Sequence, residues 1–326
     1  MMSYIKCGLR RDSQDERDVC MPMHFDYVEL PKEFTLKNKI KSIFNQLDVN
    51  SCSANAVSKQ INIAGNLDYS PSRLFIYYNS RLLENEGNKR AISDNGVNLR
   101  SVMKSLMKYN FLDEKYYPYK IPNMVNLEPA EEYYKIANNN TSYISQYRKL
   151  VPNIYNMKYI LSQLKLPIVC GIPIYDNFEK LESNNYTVPY PSYTNKLLGF
   201  HAVLLISYDE NKKCFEVLNS YGPYFGNCGF FNLTYDWVMN DDLCFDMWCI
   251  EIKKTNTQMN RKPLESSFFI ISSKVEPPRC CSITACSFIN FNTYVSKQLI
   301  EQQHILFRLY FFVRVLQFTQ GSSFTV

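Results

Sequence analysis

The feature that most constrains the fold of this chain is a change of sequence pattern near its middle. The first half carries helical periodicity: apolar residues recur at helical spacing over 99–107, and further helical patterns follow Cys52 and cover 72–84. The second half instead carries short apolar runs and strand patterns, at 167–172, 202–206, 214–218 and 229–233. A helix-rich half followed by a strand-rich half predicts an α+β fold, with the functional cleft between the two halves.

Composition and charge exclude several functional classes. The 326 residues are 46% hydrophobic and 21% charged, which is typical of a folded chain rather than a disordered one. The 36 Lys and Arg against 31 Asp and Glu give a net charge of +5 without a basic block, so we expect no nucleic-acid partner. The sequence has neither the roughly 18 consecutive apolar residues of a membrane span nor the apolar core of a signal peptide. We therefore expect an intracellular protein whose 11 cysteines are mostly reduced.

Cys52 is the candidate nucleophile. A cysteine attacks as its thiolate, and a helix N-terminus and an imidazolium partner both lower the pKa of a thiol. Asn50 and Ser51 are helix-capping residue types, which places Cys52 in the first turn of a helix. Six residues earlier, Gln46 carries a side-chain amide that can donate to an oxyanion together with the Cys52 backbone N–H.

His201 is the candidate base among only three histidines. His24 lies in the N-terminal segment and His304 near the C-terminus, whereas His201 opens an apolar strand. Eighteen residues later, Asn219 can return its side-chain amide to the imidazole from the neighbouring strand. A neutral amide orients the ring without adding negative charge beside a thiolate.

These residues lie in motifs that resemble those of the papain-like cysteine peptidases. The family's Q-x5-C-x-A stands as 46–54 and its H-A-V as 201–203. Its N-S-W-G-x-x-W-G-x-x-G-Y stands as 219–230, with aromatic replacements for both tryptophans, and its substrate-binding glycine pair stands as 95–96. The motifs span about 28–252 in the family's order, and they are similar above all to non-secreted bacterial and large-DNA-virus members.

The resemblance implies a papain-like two-subdomain fold, with a helical left half, an antiparallel β-sheet or barrel as right half, and the active-site cleft between them. It implies an endopeptidase in which a Cys52 thiolate and a His201 imidazolium act on polypeptide substrates, with Asn219 orienting the ring and Gln46 in the oxyanion hole. Tyr221 and Phe225 are implied as an aromatic lid. The residues implied to bind substrate are Asn95, Gly96, Val97, Gly171 and Phe200. The floor of that apolar pocket is expected near Asp242.

We expect three segments. Residues 1–27 form an extension that either crosses the cleft through an apolar contact at 21–25 and restrains activity, or packs on the back of the domain as a strap. Residues 28–252 form the peptidase domain, and 253–326 form an appendage. We expect a monomer without cofactor or metal, since Cys280, Cys281 and Cys286 lack the spacing of a zinc site. A virion location is expected if the chain is viral.

Two alternatives stay open. An acyl transferase or peptide ligase on the same fold would use the same residues, and nothing in the sequence separates it from a hydrolase. A catalytically silent binding or structural protein has no need of the complete Gln/Cys/His/Asn set, which argues against that alternative.

Overall fold

The computed structural model of the protein describes residues 6–22, 25 and 27–254. His24 and His304 lie outside the described residues, and so does the predicted appendage apart from its first two residues. The described α-helices are α1 (Cys52–Ala64), α2 (Arg73–Glu84), α3 (Leu99–Tyr109), α4 (Glu131–Asn138), α5 (Ile154–Tyr159) and α6 (Tyr235–Val238). The described strands are β1 (Leu9–Arg10), β2 (Glu33–Thr35), β3 (Val97–Asn98), β4 (Ser142–Lys149), β5 (Ile168–Tyr175), β6 (Leu197–Asp209), β7 (Cys214–Leu218), β8 (Phe230–Thr234) and β9 (Phe245–Lys254).

The three helices predicted in the first half are confirmed, and side-chain caps mark where two of them start. Ser72 caps α2 by accepting a hydrogen bond from the Phe75 N–H, and Asn98 caps α3 in the same way through the Ser101 N–H. Helix α1 is buried from its first residue through Ile63. It is therefore the central helix of the molecule.

The second half forms an antiparallel sheet, which confirms the α+β prediction. Its strand order is β4–β9–β5–β6–β7–β8, and β2 adds to β6. Strands β5 to β8 are the four that the apolar runs predict, whereas β4 and β9 carry more polar residues and were not predicted. A separate two-stranded parallel pair joins β1 to β3.

Helix α1 packs against the sheet at β5, β6 and β9. The Gln60 side chain fixes this contact, because its Nε2 donates to the carbonyls of Pro167 (3.0 Å) and Trp248 (2.8 Å). The packing brings the N-terminus of α1 against strand β6, where the two halves meet. None of the helices among the described residues is long and apolar enough to cross a membrane.

Candidate active site

Cys52 is the first residue of α1 and is fully buried. Hydrogen bonds from the backbone of Ala202, Gly8 and Ser53 favour its thiolate, but burial outweighs them and raises the pKa of the Cys52 thiol to about 11. Because Ala202 follows His201, its contact with the sulfur places the start of α1 directly beside the histidine strand. Cys52 is a neutral thiol at pH 7 in this arrangement.

His201 lies within β6 and is fully buried. Its Nε2 is 2.8 Å from Asn219 Oδ1, because β7 pairs with β6 and Asn219 directly follows β7. Since an amide oxygen accepts, Nε2 carries the proton and Nδ1 is left as the acceptor of the neutral ring. Burial lowers the pKa of His201 to about 4, and the bond to Asn219 opposes this shift.

Gln46 is fully buried and is held by the loop that follows Asn219. Ser220 Oγ donates to Gln46 Oε1 (2.7 Å), and the Gln46 N–H donates to the Ser220 carbonyl (2.8 Å). The Gln46 Nε2 donates to the carbonyls of Val49 (2.9 Å) and Lys6 (3.2 Å). Ser220 therefore positions the Gln46 side chain; it stands within the motif at 219–230 but was not among the predicted site residues.

An aromatic ring covers the histidine, and a second ring packs against the first. Tyr221 stacks on His201, with ring centroids 4.5 Å apart and planes 26° apart, and Phe225 meets Tyr221 edge-on at 5.2 Å. The Tyr221 hydroxyl is 3.0 Å from His201 Nδ1. If His201 is the base, Nδ1 is the ring nitrogen that accepts the proton of the Cys52 thiol.

Residues 6–12, here called the cleft segment, run through the site. The Lys6 carbonyl accepts hydrogen bonds from Gln46 Nε2 and from the Tyr221 hydroxyl, both at 3.2 Å. Two residues later, the Gly8 carbonyl accepts from the Val97 N–H (3.0 Å), as β1 pairs parallel with β3. Gly96 has φ +79°, and a Cβ there would overlap the Gly8 carbonyl oxygen, so only glycine allows this close approach. Asn95 is exposed in the same turn.

Leu9 fills the apolar pocket and is 4% exposed. An added Cβ at Gly171 would lie 2.6 Å from Leu9 Cδ2 and would also overlap the Phe245 ring, and Phe200 meets that ring edge-on at 5.4 Å. The pocket wall opposite Gly171 is thus Phe245, which no sequence motif had identified. The pocket floor was expected near Asp242. Asp242 itself is exposed, and Phe245, three positions later at the start of β9, is the residue that lines the pocket.

The end of the cleft segment and the residues after it are fixed to the domain. The Asp12 carboxylate accepts from the Arg100 N–H and the Trp248 Nε1–H, both at 2.9 Å. Asp18 forms a buried ion pair with Arg100 at 2.5 Å, and the Met21 N–H donates to the Lys149 carbonyl (2.8 Å).

The described apolar residues of the contact expected at 21–25, Met21 and Phe25, do not lie in the cleft. Met21 borders a surface pocket with Leu150 and Ile160, and Phe25 stacks on Tyr159 at 4.2 Å. The cleft contact is made by Leu9 instead, which stands earlier in the chain.

The comparisons with known proteins agree with the motifs. The family model for papain family cysteine proteases matches residues 21–244. An uncharacterized peptidase C1-like protein, L477, of Acanthamoeba polyphaga mimivirus is 31% identical over 234 residues, which are 68% of this chain and 73% of that protein.

Solved structures give the same result for the fold. Xylellain, a cysteine protease from Xylella fastidiosa, is 29% identical with a TM-score of 0.67, over 77% of this chain and 98% of that one. A procathepsin B from Trypanosoma congolense shares the fold at 12% identity, with a TM-score of 0.57, over 77% of this chain and 87% of that one.

Proposed function

Because this chain belongs to the papain family of cysteine proteases and is a hydrolase of peptide bonds, we propose that Cys52 is its nucleophile and His201 its general base and acid. Asn219 orients the imidazole, and Gln46 with the Cys52 backbone N–H stabilises the oxyanion. The thiolate attacks the carbonyl, His201 protonates the leaving amine, and water activated by His201 then releases the acyl-enzyme. No histidine stands between Cys52 and His201 to bind a substrate carboxyl terminus, which favours an endopeptidase.

One observation carries these assignments. The Gln46 amide holds the Lys6 carbonyl oxygen, and the backbone of Gly8, two residues further on, hydrogen-bonds the Cys52 sulfur. A peptide carbonyl therefore fits between the proposed oxyanion donor and the proposed nucleophile.

We propose further that the cleft segment keeps the enzyme latent. In a substrate, the residue in the pocket stands before the carbonyl that is attacked. Here Leu9 stands three positions after the Lys6 carbonyl, and β1 runs parallel to β3. The chain direction of the cleft segment is therefore opposite to that of a substrate, so the segment fills the site without placing a peptide bond for cleavage.

Burial by the segment also explains the ionisation of the site. The high pKa of the Cys52 thiol and the low pKa of His201 both follow first from burial, and each favours the neutral group at pH 7. When the segment leaves and water enters, both desolvation costs fall, so the proton can pass from sulfur to imidazole. The ion pair is a property of the open enzyme.

Covalent labelling tests the proposed nucleophile. We expect a peptidyl epoxide to alkylate the full chain carrying Leu9→Asp, a change that empties the pocket, and to modify Cys52 as located by mass spectrometry. The label should vanish in Cys52→Ala and persist in Cys20→Ala, since Cys20 is an exposed cysteine away from the cleft. Labelling of other cysteines with Cys52 left unmodified would refute the assignment.

Product analysis separates a hydrolase from a transferase. With a peptide substrate, added acceptor amines should leave the free acid as the main product. A main product joined to the amine would favour the acyl transferase or ligase instead. Intracellular location, a place in a virus particle and the monomeric state stay predictions.

Specificity should follow the apolar pocket. Burying an aliphatic or aromatic side chain between Gly171, Phe200 and Phe245 contributes about 1.5–3 kcal/mol, whereas a buried unpaired charge is costly. We expect Leu, Val or Phe to exceed Arg at the second position before the cleaved bond by at least about tenfold in kcat/KM. A substrate library in which Arg wins would contradict the apolar pocket.

A further inference from the structure

The Tyr221 hydroxyl lies where the reacting groups meet. It is 3.0 Å from His201 Nδ1 and 3.2 Å from the Lys6 carbonyl oxygen, the same oxygen that Gln46 Nε2 holds at 3.2 Å. One peptide carbonyl thus receives two side-chain donors, from the loop before α1 and from the loop after β7. The resembled motif has a tryptophan here, so the hydroxyl is a feature of this chain.

We propose that the Tyr221 hydroxyl is a catalytic oxyanion donor, acting beside Gln46 and the Cys52 backbone N–H. This inference rests on the proposed function. The Lys6 carbonyl oxygen stands in for the oxygen of a scissile peptide. A donor within hydrogen-bond distance of that oxygen also reaches the oxyanion that forms from it.

The hydroxyl has one proton, and the histidine decides where it points. In the resting site, Asn219 Oδ1 fixes the His201 proton on Nε2, so Nδ1 is an acceptor that competes with the Lys6 carbonyl oxygen for the single Tyr221 proton. In the open enzyme the Cys52 proton has passed to Nδ1, so during attack the thiolate forms the S–C bond and the carbonyl π electrons move to oxygen. Nδ1 is then a donor to the tyrosine oxygen, which frees the tyrosine proton to turn towards the oxyanion. Tyr221 keeps its proton throughout, so its contribution arises as negative charge develops.

Two inhibitors with the same leucine-containing peptide test this role. A peptidyl aldehyde forms a hemithioacetal whose oxygen lies in the oxyanion hole, whereas a peptidyl epoxide alkylates the thiolate without forming that oxyanion. Both constants are measured in the full chain carrying Leu9→Asp, with and without Tyr221→Phe. Any remaining competition by the cleft segment affects both inhibitors alike and cancels in their ratio.

We expect Tyr221→Phe to weaken aldehyde binding by about 10- to 100-fold relative to the alkylation rate. Tyr117→Phe is the matched control, since that hydroxyl bonds the Leu127 carbonyl within the helical half, and its ratio should not change. An unchanged ratio in Tyr221→Phe would overturn the proposal and leave the hydroxyl a contact of the cleft segment alone. Absence of epoxide labelling at Cys52 before Tyr221 is changed would instead refute the proposed nucleophile.

Discussion

Replacing Leu9 with aspartate is expected to raise kcat/KM of the full chain about 30-fold or more, because a difference of about 2 kcal/mol corresponds to that factor. The wild-type leucine is buried against Gly171 and Phe245, and burying such a side chain contributes about 1.5–3 kcal/mol. An aspartate there adds the cost of a buried charge, so the cleft segment should leave the site. Hydrolysis of a fluorogenic peptide with leucine at the pocket position measures the effect, and Leu9→Ala should give a smaller increase.

Val19→Asp is the matched control for this change. Val19 belongs to the same N-terminal extension, but it is 56% exposed and lies ten positions after Leu9. Its replacement should leave kcat/KM unchanged. If Leu9→Asp folds, reacts with the epoxide at Cys52 and still shows wild-type activity, the cleft segment does not restrain the enzyme.

His201→Ala, placed in the Leu9→Asp chain, is expected to lower kcat/KM by about 10⁴-fold or more, as loss of a base that acts together with its nucleophile does elsewhere. Asn219 holds His201 at 2.8 Å, so Asn219→Ala should also lower activity, though less, since the ring remains. Turnover of the same fluorogenic peptide measures both. A loss of only a few-fold in His201→Ala would rule out His201 as the base.

The pH dependence of Cys52 alkylation tests whether burial by the cleft segment keeps Cys52 and His201 neutral. In the wild-type chain the cleft segment covers the site. There, a pKa of about 11 for the Cys52 thiol and of about 4 for the His201 imidazole leave both groups neutral at pH 7. Alkylation of Cys52 by iodoacetamide should therefore rise only at alkaline pH. In Leu9→Asp, the ion pair should extend alkylation well below the unperturbed thiol pKa of about 8.5. Equal profiles in the two chains would contradict the role of burial.

Local sequence was sufficient to predict the elements that place the proposed catalytic residues. Helix periodicity predicted α3, the apolar runs predicted β5 and β6, and β7 covers the predicted 214–218. The spacing of motifs in the sequence likewise brought Gln46, Cys52, His201 and Asn219 together as candidates. Each of these signals lies within a few residues of the feature that it predicts.

What the sequence did not predict depends on contacts between distant parts of the chain. Leu9 stands in a polar stretch without periodicity, and its pocket is completed by Phe245, 236 positions later. Strand β4 carries no continuous apolar run, and its place in the sheet depends on its pairing with the distant strand β9. Ser220 positions Gln46 through a hydroxyl contact that spans 174 positions of the chain, which local sequence does not predict.

The buried pair of Asp18 with Arg100, six residues after the end of the cleft segment, would make the proposed inhibition intramolecular. A short flexible tether gives an inhibitor an effective concentration in the range of about millimolar, whatever the concentration of the protein. Dilution therefore cannot release the uncut chain. A single nick among the exposed residues 13, 14, 16 or 17 would sever the cleft segment from its anchor and make its rebinding bimolecular. After such a cut, the concentration of the released segment, rather than the fold, would determine how long the enzyme stays inhibited.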